Sequence, residues 1–176
     1  RRIGQPNLAR RGRDPALLRA GGEKVSVTLV GDNRTPAAQA YYASLQESIR
    51  ARKLGGRVTF GGGVPHEEVA RYLCAADVFI NPSVTGSLDK AGVEALAAGV
   101  PVVTCNEAFR GVLGAYAHRL MFPKDDAHSL ADRIIVLHHA PDRRALAETL
   151  AETVRKEHSV ETLIPRILRV IGGVIA

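Results

Sequence analysis

Short apolar runs alternate with stretches of helical periodicity along most of the chain. β-branched and apolar runs that end at turn-forming residues predict strands at 24–30, 57–60, 77–81, 101–105 and 119–122. Apolar residues at helical spacing predict helices at 36–54, 66–76, 88–98 and 142–157, with two more after the capping residues Asp126 and Ser159. Pro165 falls inside the last helix and predicts a kink there.

This alternation is typical of a parallel sheet with helices on both faces. Crossovers between parallel strands are right-handed, so the pattern predicts an α/β fold with a Rossmann-like, doubly wound parallel sheet. Ligands of such sheets bind beyond the carboxyl ends of the strands. The loops at 31–33, 61–65, 82–89 and 104–110 are therefore the places to look for a site.

Composition fits one globular domain, with 45% apolar and 24% charged residues among 176. The net charge of +6 is concentrated in residues 1–23, where six arginines face two acidic residues. We predict a basic, poorly ordered arm at 1–23 and a folded domain at 24–176. The arm could be a solvated end or could bind acidic lipid. Nucleic acid is not expected as a partner, because no aromatic residues interleave the arginines.

The chain has neither a signal peptide nor an initiator Met, and no apolar run long enough for a membrane span, so we expect a fragment or a processed product. Cys74 and Cys105 lie in apolar surroundings and are predicted to be buried free thiols, which fits the reducing cytoplasm. The six histidines lack ligand spacing, so no metal site is expected.

The loop at 82–89 is the strongest candidate for chemistry. Its small residues let a ligand approach the backbone, and the first free amides of the next helix, at Ser87, Leu88 and Asp89, would bind an anion such as a diphosphate. Glu94, further along that helix, could accept hydrogen bonds from the two hydroxyls of a ribose. An ordinary crossover with Glu94 on a solvated face is the alternative.

The segment at 81–83, followed after ten residues by 94–103, resembles the signature of family-4 glycosyltransferases of GT-B fold. The motifs at 29–32, 57–65, 75–79 and 126–131 agree with that family in order and spacing. The resemblance covers roughly residues 24–170 and identifies the chain as the C-terminal, donor-binding half of such an enzyme.

The resemblance implies transfer of a hexosyl unit from a UDP- or GDP-sugar with retention of configuration. No cofactor and no obligatory metal are implied, and a separate N-terminal domain would bind the acceptor. Glu94 would bind the ribose, and Val64 would lie against the base. The backbone amides of Ser87, Leu88 and Asp89 would bind the donor. Gly63 and Ser83 complete the predicted donor site, and no residue is assigned a catalytic role.

Two positions depart from the family pattern. Gly86 stands where the family has the first glutamate of its pair, which contacts the transferred sugar, so we hypothesise that Asp89 or Lys90 takes over part of that role. The family's first strand, which is central in the sheet, is missing before residue 24. Either the chain is part of a longer protein or residues 1–8 take the place of this strand poorly. Without the strand, two strand edges of the sheet would stay unpaired.

Other enzyme classes fit less well. A nicotinamide-binding turn needs a third glycine where Pro65 and His66 stand, and neither a Walker loop nor a nucleophile elbow is present. A degenerate, non-catalytic binding or interaction module stays open as the alternative function. The Ile- and Leu-rich last helix could pack on the missing domain or touch a membrane surface, so we predict a cytoplasmic protein with peripheral membrane contact left open.

Overall fold

The computed structural model describes residues 25–175. The predicted arm at 1–23, and the idea that residues 1–8 replace a strand, lie outside this range. The strands are β1 (Val27–Val30), β2 (Val58–Gly62), β3 (Phe79–Asn81) and β4 (Val102–Thr104). The helices are α1 (Pro36–Ala51), α2 (His66–Cys74), α3 (Lys90–Ala97), α4 (Arg110–Leu113), α5 (Ala117–Leu120), α6 (Ala127–His139), α7 (Arg143–His158) and α8 (Val160–Ile175).

The strands are parallel, as predicted, and they form two separate pairs within the described range. β1 pairs with β2, and β3 pairs with β4. The β1–β2 register shifts after Leu29, because Gly61 is an extra residue between the partners of Leu29 and Val30. Neither pair is joined to the other by a further strand in residues 25–175. The prediction that the family's first strand is missing before residue 24 lies outside this range.

The predicted fifth strand at 119–122 is wrong. The short helix α5 runs through Arg119 to Leu120, and only Met121 makes an isolated parallel bridge, to Thr104. Pro123 follows almost at once and lacks the N–H that a longer ladder would need. The chain therefore reaches the sheet for a single bridged position, although Met121 and Phe122 are both buried there.

Helix boundaries follow the capping chemistry. Thr35 accepts a hydrogen bond from the Ala38 amide at 3.2 Å, with Pro36 in the first turn, and Asp126 accepts from the Ser129 amide at 3.0 Å. These bonds from Ser129 also lower the pKa of the Asp126 carboxyl. Ser159 caps α8 through the Thr162 amide, so the predicted caps at 126 and 159 are confirmed.

The core lies entirely in the second part of the described chain. Every buried side chain in residues 25–173 falls between Leu73 and Val154, where α3 packs on β3 and β4, α5 and α6 pack on β4, and α7 packs on α3. Leu146 and Leu150 of α7 pack into this cluster. β1, α1 and β2 contain no buried residue, and their apolar contacts, such as the Tyr42–Phe60 ring pair at 4.5 Å, stay partly exposed.

The two cysteines differ. Cys105 is buried, as predicted, and burial raises the pKa of its thiol. Cys74 is exposed, so the prediction of a second buried thiol is wrong. Leu73 takes the inward position at the end of α2 and leaves its neighbour on the outer side. No helix among residues 25–175 is long and apolar enough to cross a membrane.

Candidate functional site

The crossover from β3 to α3 is closed at its base by Asn81, the last residue of β3. The buried Asn81 side chain accepts a hydrogen bond from the Ser83 amide at 3.0 Å and donates to the Asp89 carboxylate at 3.0 Å. One amide group thus joins the first and last parts of the loop. Because a buried amide left without partners would cost about 1–3 kcal/mol, these two bonds fix the loop to the end of the strand.

Asn106, just beyond β4, holds the same loop from the neighbouring strand. Its side chain is 1% exposed, and its Nδ2 donates to the Ser87 carbonyl at 2.8 Å and to Asp89 Oδ2 at 3.4 Å. Its Oδ1 accepts from the Ala108 amide at 3.1 Å. The sequence interpretation missed Asn106, although a polar residue directly after a buried strand was a usable signal.

Asp89 is therefore part of the loop's internal scaffold. Both asparagine amides reach its Oδ2, and the Thr85 hydroxyl donates to its Oδ1 at 3.3 Å. A carboxylate that already accepts hydrogen bonds from three protein donors has little capacity left for a ligand. Of the two residues that we hypothesised to replace the missing glutamate, only Lys90 projects a largely exposed side chain.

Helix α3 begins at Lys90, two residues later than predicted. Its first intrahelical bond runs from the Val93 amide to the Asp89 carbonyl at 3.1 Å, so the amides of Lys90 and Ala91 have no carbonyl partner within the helix. Ser87, Leu88 and Asp89 belong to the loop before the helix. The N–H groups without an intrahelical partner are those of residues 89–92, and the predicted position 89 is among them.

Glu94 lies between two basic side chains at the edge of this site. Its Oε1 is 3.4 Å from Lys90 Nζ, one turn earlier in α3, and 3.9 Å from His66 Nε2 at the start of α2. The Glu94 side chain is 30% exposed, and such long, partly solvated pairs contribute at most about 1 kcal/mol. Glu94 is thus held at the junction of α2 and α3 without being closed to a ligand. His66 was not predicted to take part.

The glycine-rich loop after β2 forms the other border of this junction. Gly62 has a φ of +67°, which non-glycine residues rarely adopt, and its carbonyl accepts from the Gly31 amide at 2.9 Å. A Cβ at Gly63 would lie 3.1 Å from the Asp32 Cβ, so the loops after β1 and β2 approach each other closely there. Val64 is half-buried and leads through Pro65 into His66.

A concave surface borders the crossover loop. It is a cavity of about 310 Å³, lined by Val84, Gly86, Cys105, Asn106, Glu107, Phe122, Pro123 and Lys124. Gly86, with a φ of +74°, is the predicted site residue that it contains. Arg110 donates two hydrogen bonds to Glu107, another lining residue, and these bonds lower the pKa of that carboxyl.

Comparisons with known proteins now decide the family. A model of the family described as glycosyl transferases group 1 matches residues 13–140, which is more than half of the chain. The chain belongs to the group 1 glycosyltransferases. Among curated relatives of this glycosyltransferase domain, the 2-deoxystreptamine N-acetyl-D-glucosaminyltransferase of Streptomyces fradiae is 26% identical over 130 residues, which cover 73% of this chain and 28% of that enzyme. The putative teichuronic acid biosynthesis glycosyltransferase TuaC of Bacillus subtilis is 35% identical over 99 residues, 54% of this chain and 25% of TuaC.

Solved structures agree on the fold. The HepE protein of Anabaena, crystallised with UDP, matches with a TM-score of 0.75 and 20% identity over 85% of this chain and 41% of HepE. The sucrose-phosphate synthase of Thermosynechococcus elongatus matches with a TM-score of 0.68 and 25% identity over 84% of this chain and 38% of that enzyme. The glycosyltransferase domain thus has the α/β architecture of GT-B enzymes. It spans between 25% and 41% of the length of these four proteins.

Proposed function

We propose that this domain binds the nucleotide-sugar donor of a retaining, family-4 glycosyltransferase that transfers a hexosyl unit to an acceptor. The observation that carries the proposal is the crossover loop at 82–89, which Asn81 and Asn106 hold so that it delivers the free amides of α3 beside Glu94. Preorganised N–H donors beside a carboxylate that can accept hydrogen bonds from a ribose suit a nucleoside diphosphate. The HepE crystals with UDP and with UDP-glucose support a uridine nucleotide as the first donor to test.

In this proposal the diphosphate lies at the start of α3. The amides of Lys90 and Ala91 and the ammonium of Lys90 would stabilise the charge that develops on the leaving diphosphate as the glycosidic bond breaks. Main-chain donors and one lysine can do this without a metal ion. Asp89 is already bonded to Asn81 and Asn106, so Lys90 is the one of the two hypothesised residues whose charge stays available to the donor.

Glu94 would accept hydrogen bonds from the ribose hydroxyls, while Gly63 and Val64 would border the base. His66 and Lys90 hold the carboxylate from two sides, so its orientation is set before the donor arrives. The acceptor would be bound by the part of the parent protein that this domain does not include. Chemistry would then take place only where the two halves meet.

Isothermal titration of the 176-residue chain with UDP-glucose and with a GDP-hexose tests the proposal. We expect Glu94→Ala to weaken binding by about 1.5–3 kcal/mol, the range for a hydrogen bond to a charged group, which is roughly 10- to 150-fold. Glu148→Ala on α7, an exposed carboxylate paired with Arg144, is the matched control and should leave affinity unchanged.

Lys90→Ala should also weaken the binding of UDP itself, because the positive charge that it removes would act on the diphosphate and not on the sugar. If Glu94→Ala binds as tightly as Glu148→Ala, the ribose assignment is wrong. Absence of heat with every sugar nucleotide tried would favour the alternative, a non-catalytic module with a glycosyltransferase fold.

A further inference from the structure

The cavity beside the crossover loop lies at the carboxyl edge of the sheet. Its lining comes from three segments, which are the loop after β3, the loop after β4 and the residues that follow the Met121 bridge. Ligands of parallel sheets bind at this edge. With about 310 Å³ the cavity stands at the lower end of small-molecule pockets, which begin at about 300 Å³. It therefore suits one monosaccharide better than a nucleotide or an oligosaccharide.

Asn106 joins this cavity to the proposed position of the diphosphate. It is a lining residue, and its Nδ2 donates to the Ser87 carbonyl at 2.8 Å and to Asp89 Oδ2 at 3.4 Å. Asp89 directly precedes Lys90, where α3 begins. In a nucleotide-sugar a single oxygen links the sugar to the second phosphate, so the hexosyl group must lie next to the diphosphate. The cavity is in that neighbourhood, one asparagine side chain away from the residues that precede α3.

The lining combines apolar and charged groups. Phe122 and Pro123 supply apolar surface for the C–H face of a pyranose ring. Glu107 and Lys124, both exposed, bring a carboxylate and an ammonium that can bind sugar hydroxyls. The crossover loop offers no side chain at Gly86, and a Cβ there would meet nothing within 4 Å, so this side of the cavity is open. Recognition of a sugar would therefore fall to the other two segments.

Arg110 holds the Glu107 carboxylate in a fixed orientation. Its Nε donates to Oε2 at 2.7 Å and its Nη2 donates to Oε1 at 2.9 Å. Such a two-point contact orients the carboxylate, and each oxygen keeps a further lone pair for a hydroxyl. Among the side chains that the structure describes, none pairs with the Lys124 ammonium, so its three N–H donors stay available.

We propose that this cavity receives the hexosyl group of the donor, and that Glu107 and Lys124 select the sugar by binding its hydroxyls. The inference rests on the proposed donor function and adds to it the residues that distinguish one sugar from another. Glu107 accepts hydrogen bonds from two hydroxyls, and Lys124 donates to a third group of the ring. Both side chains act on the sugar and leave the nucleotide untouched.

The charges around the cavity favour a neutral sugar. Burial is the largest influence on the pKa of the Cys105 thiol, which lines the cavity, and it raises that pKa. Of the two nearby charges, the Asp125 carboxylate, which also raises this pKa, outweighs the Lys124 ammonium, which lowers it. The field at the cavity wall is thus not positive, and an anionic sugar gains nothing there over a neutral hexose.

Isothermal titration of the 176-residue chain with UDP and with UDP-glucose separates the sugar from the nucleotide, and GDP with GDP-mannose forms a second pair. Glu107→Ala should raise the Kd of the sugar nucleotide about tenfold, the loss of a hydrogen bond to a charged group, and should change the Kd of the free diphosphate by less than about twofold. Lys124→Ala should show the same pattern, with a loss of about fivefold.

Two variants on α7 are the matched controls. Glu148→Ala removes another arginine-paired carboxylate, 60% exposed against 72% for Glu107. Lys156→Ala removes another exposed lysine. Both controls should bind all four ligands like the wild type. The binding of the free diphosphate by Glu107→Ala and Lys124→Ala also shows that these variants are folded.

Equal weakening of UDP and UDP-glucose by Glu107→Ala, or no weakening of either, would overturn the inference and leave the proposed donor binding intact. UDP-glucuronic acid should bind the wild type more weakly than UDP-glucose, and tighter binding would overturn the assignment of a neutral sugar. If no nucleotide binds the wild type at all, the proposed function fails and this inference fails with it. The titration with UDP alone therefore distinguishes the two failures.

Discussion

Replacing Gly92 by alanine tests how tightly α3 is seated beneath the candidate site. A Cβ at this buried position would lie 2.6 Å from Cζ and 3.0 Å from Cε1 of Phe109, a ring that is fully buried. Ordinary contact begins near 3.4 Å, so the ring or the helix must move by about 0.8 Å. Overpacking of this kind costs about 1–3 kcal/mol, and the better helix propensity of alanine returns about 1 kcal/mol. We expect a net loss of up to about 2 kcal/mol.

Urea unfolding followed by circular dichroism measures this loss. Gly111→Ala in α4 is the control, because its added Cβ meets nothing within 4 Å and its backbone is helical, so it should gain up to about 1 kcal/mol. In a Phe109→Leu background the cost of Gly92→Ala should shrink, since the end of the ring is gone. Stabilisation by Gly92→Ala equal to that by Gly111→Ala would refute the reasoning.

Two further predictions concern the loop and the response to acid. Asn106→Ala should destabilise the domain by about 1–3 kcal/mol and expose the loop at 82–89 to proteolysis, and Asn106→Asp should be no better, because a second carboxylate would face Asp89. Equal stability of the wild type and Asn106→Ala in urea would contradict this. Hydrogen bonds from Arg119 lower the pKa of Asp142. The stability that this pair contributes is therefore present above the ordinary carboxyl pKa of 3.8 and is lost as pH falls through the lower, folded value. Urea midpoints of the wild type and Asp142→Asn should differ at neutral pH and converge in acid, and a constant difference would argue against the pair.

The order of strands and helices was predictable because each apolar run is short and each helix has a local start signal. Thr35, Asp126 and Ser159 cap their helices through bonds to residues three positions on, which is information that the sequence holds locally. The failure at 119–122 has the opposite origin. Leu120 and Met121 have strand-like composition, but their contacts with the core are satisfied by a helical turn and a single bridge.

The candidate site was predicted in part. Glu94 and the loop at 82–89 were identified from spacing and resemblance, and the structure brings Glu94 together with the start of α3. The role of Asp89 inside the loop was not predictable, because its partner Asn106 is 17 residues away and joins it only after β3 and β4 pair. The contact between His66 and Glu94 is likewise a product of how α2 and α3 meet.

The one-sided core has a consequence for how the molecule opens. The hydrogen-bonded amides of the buried strands and helices between Leu73 and Val154 should exchange only on global unfolding, whereas β1, α1 and β2, with no buried side chain, should exchange by local opening at a much lower free energy. The seam between these two cooperative units lies in the loop at 63–65, because Val69 and Leu73 of α2 pack with the core. A donor bound across that seam would contact both units. Part of its binding free energy would then stabilise the N-terminal unit against local opening, which would slow the exchange of that unit's amide hydrogens.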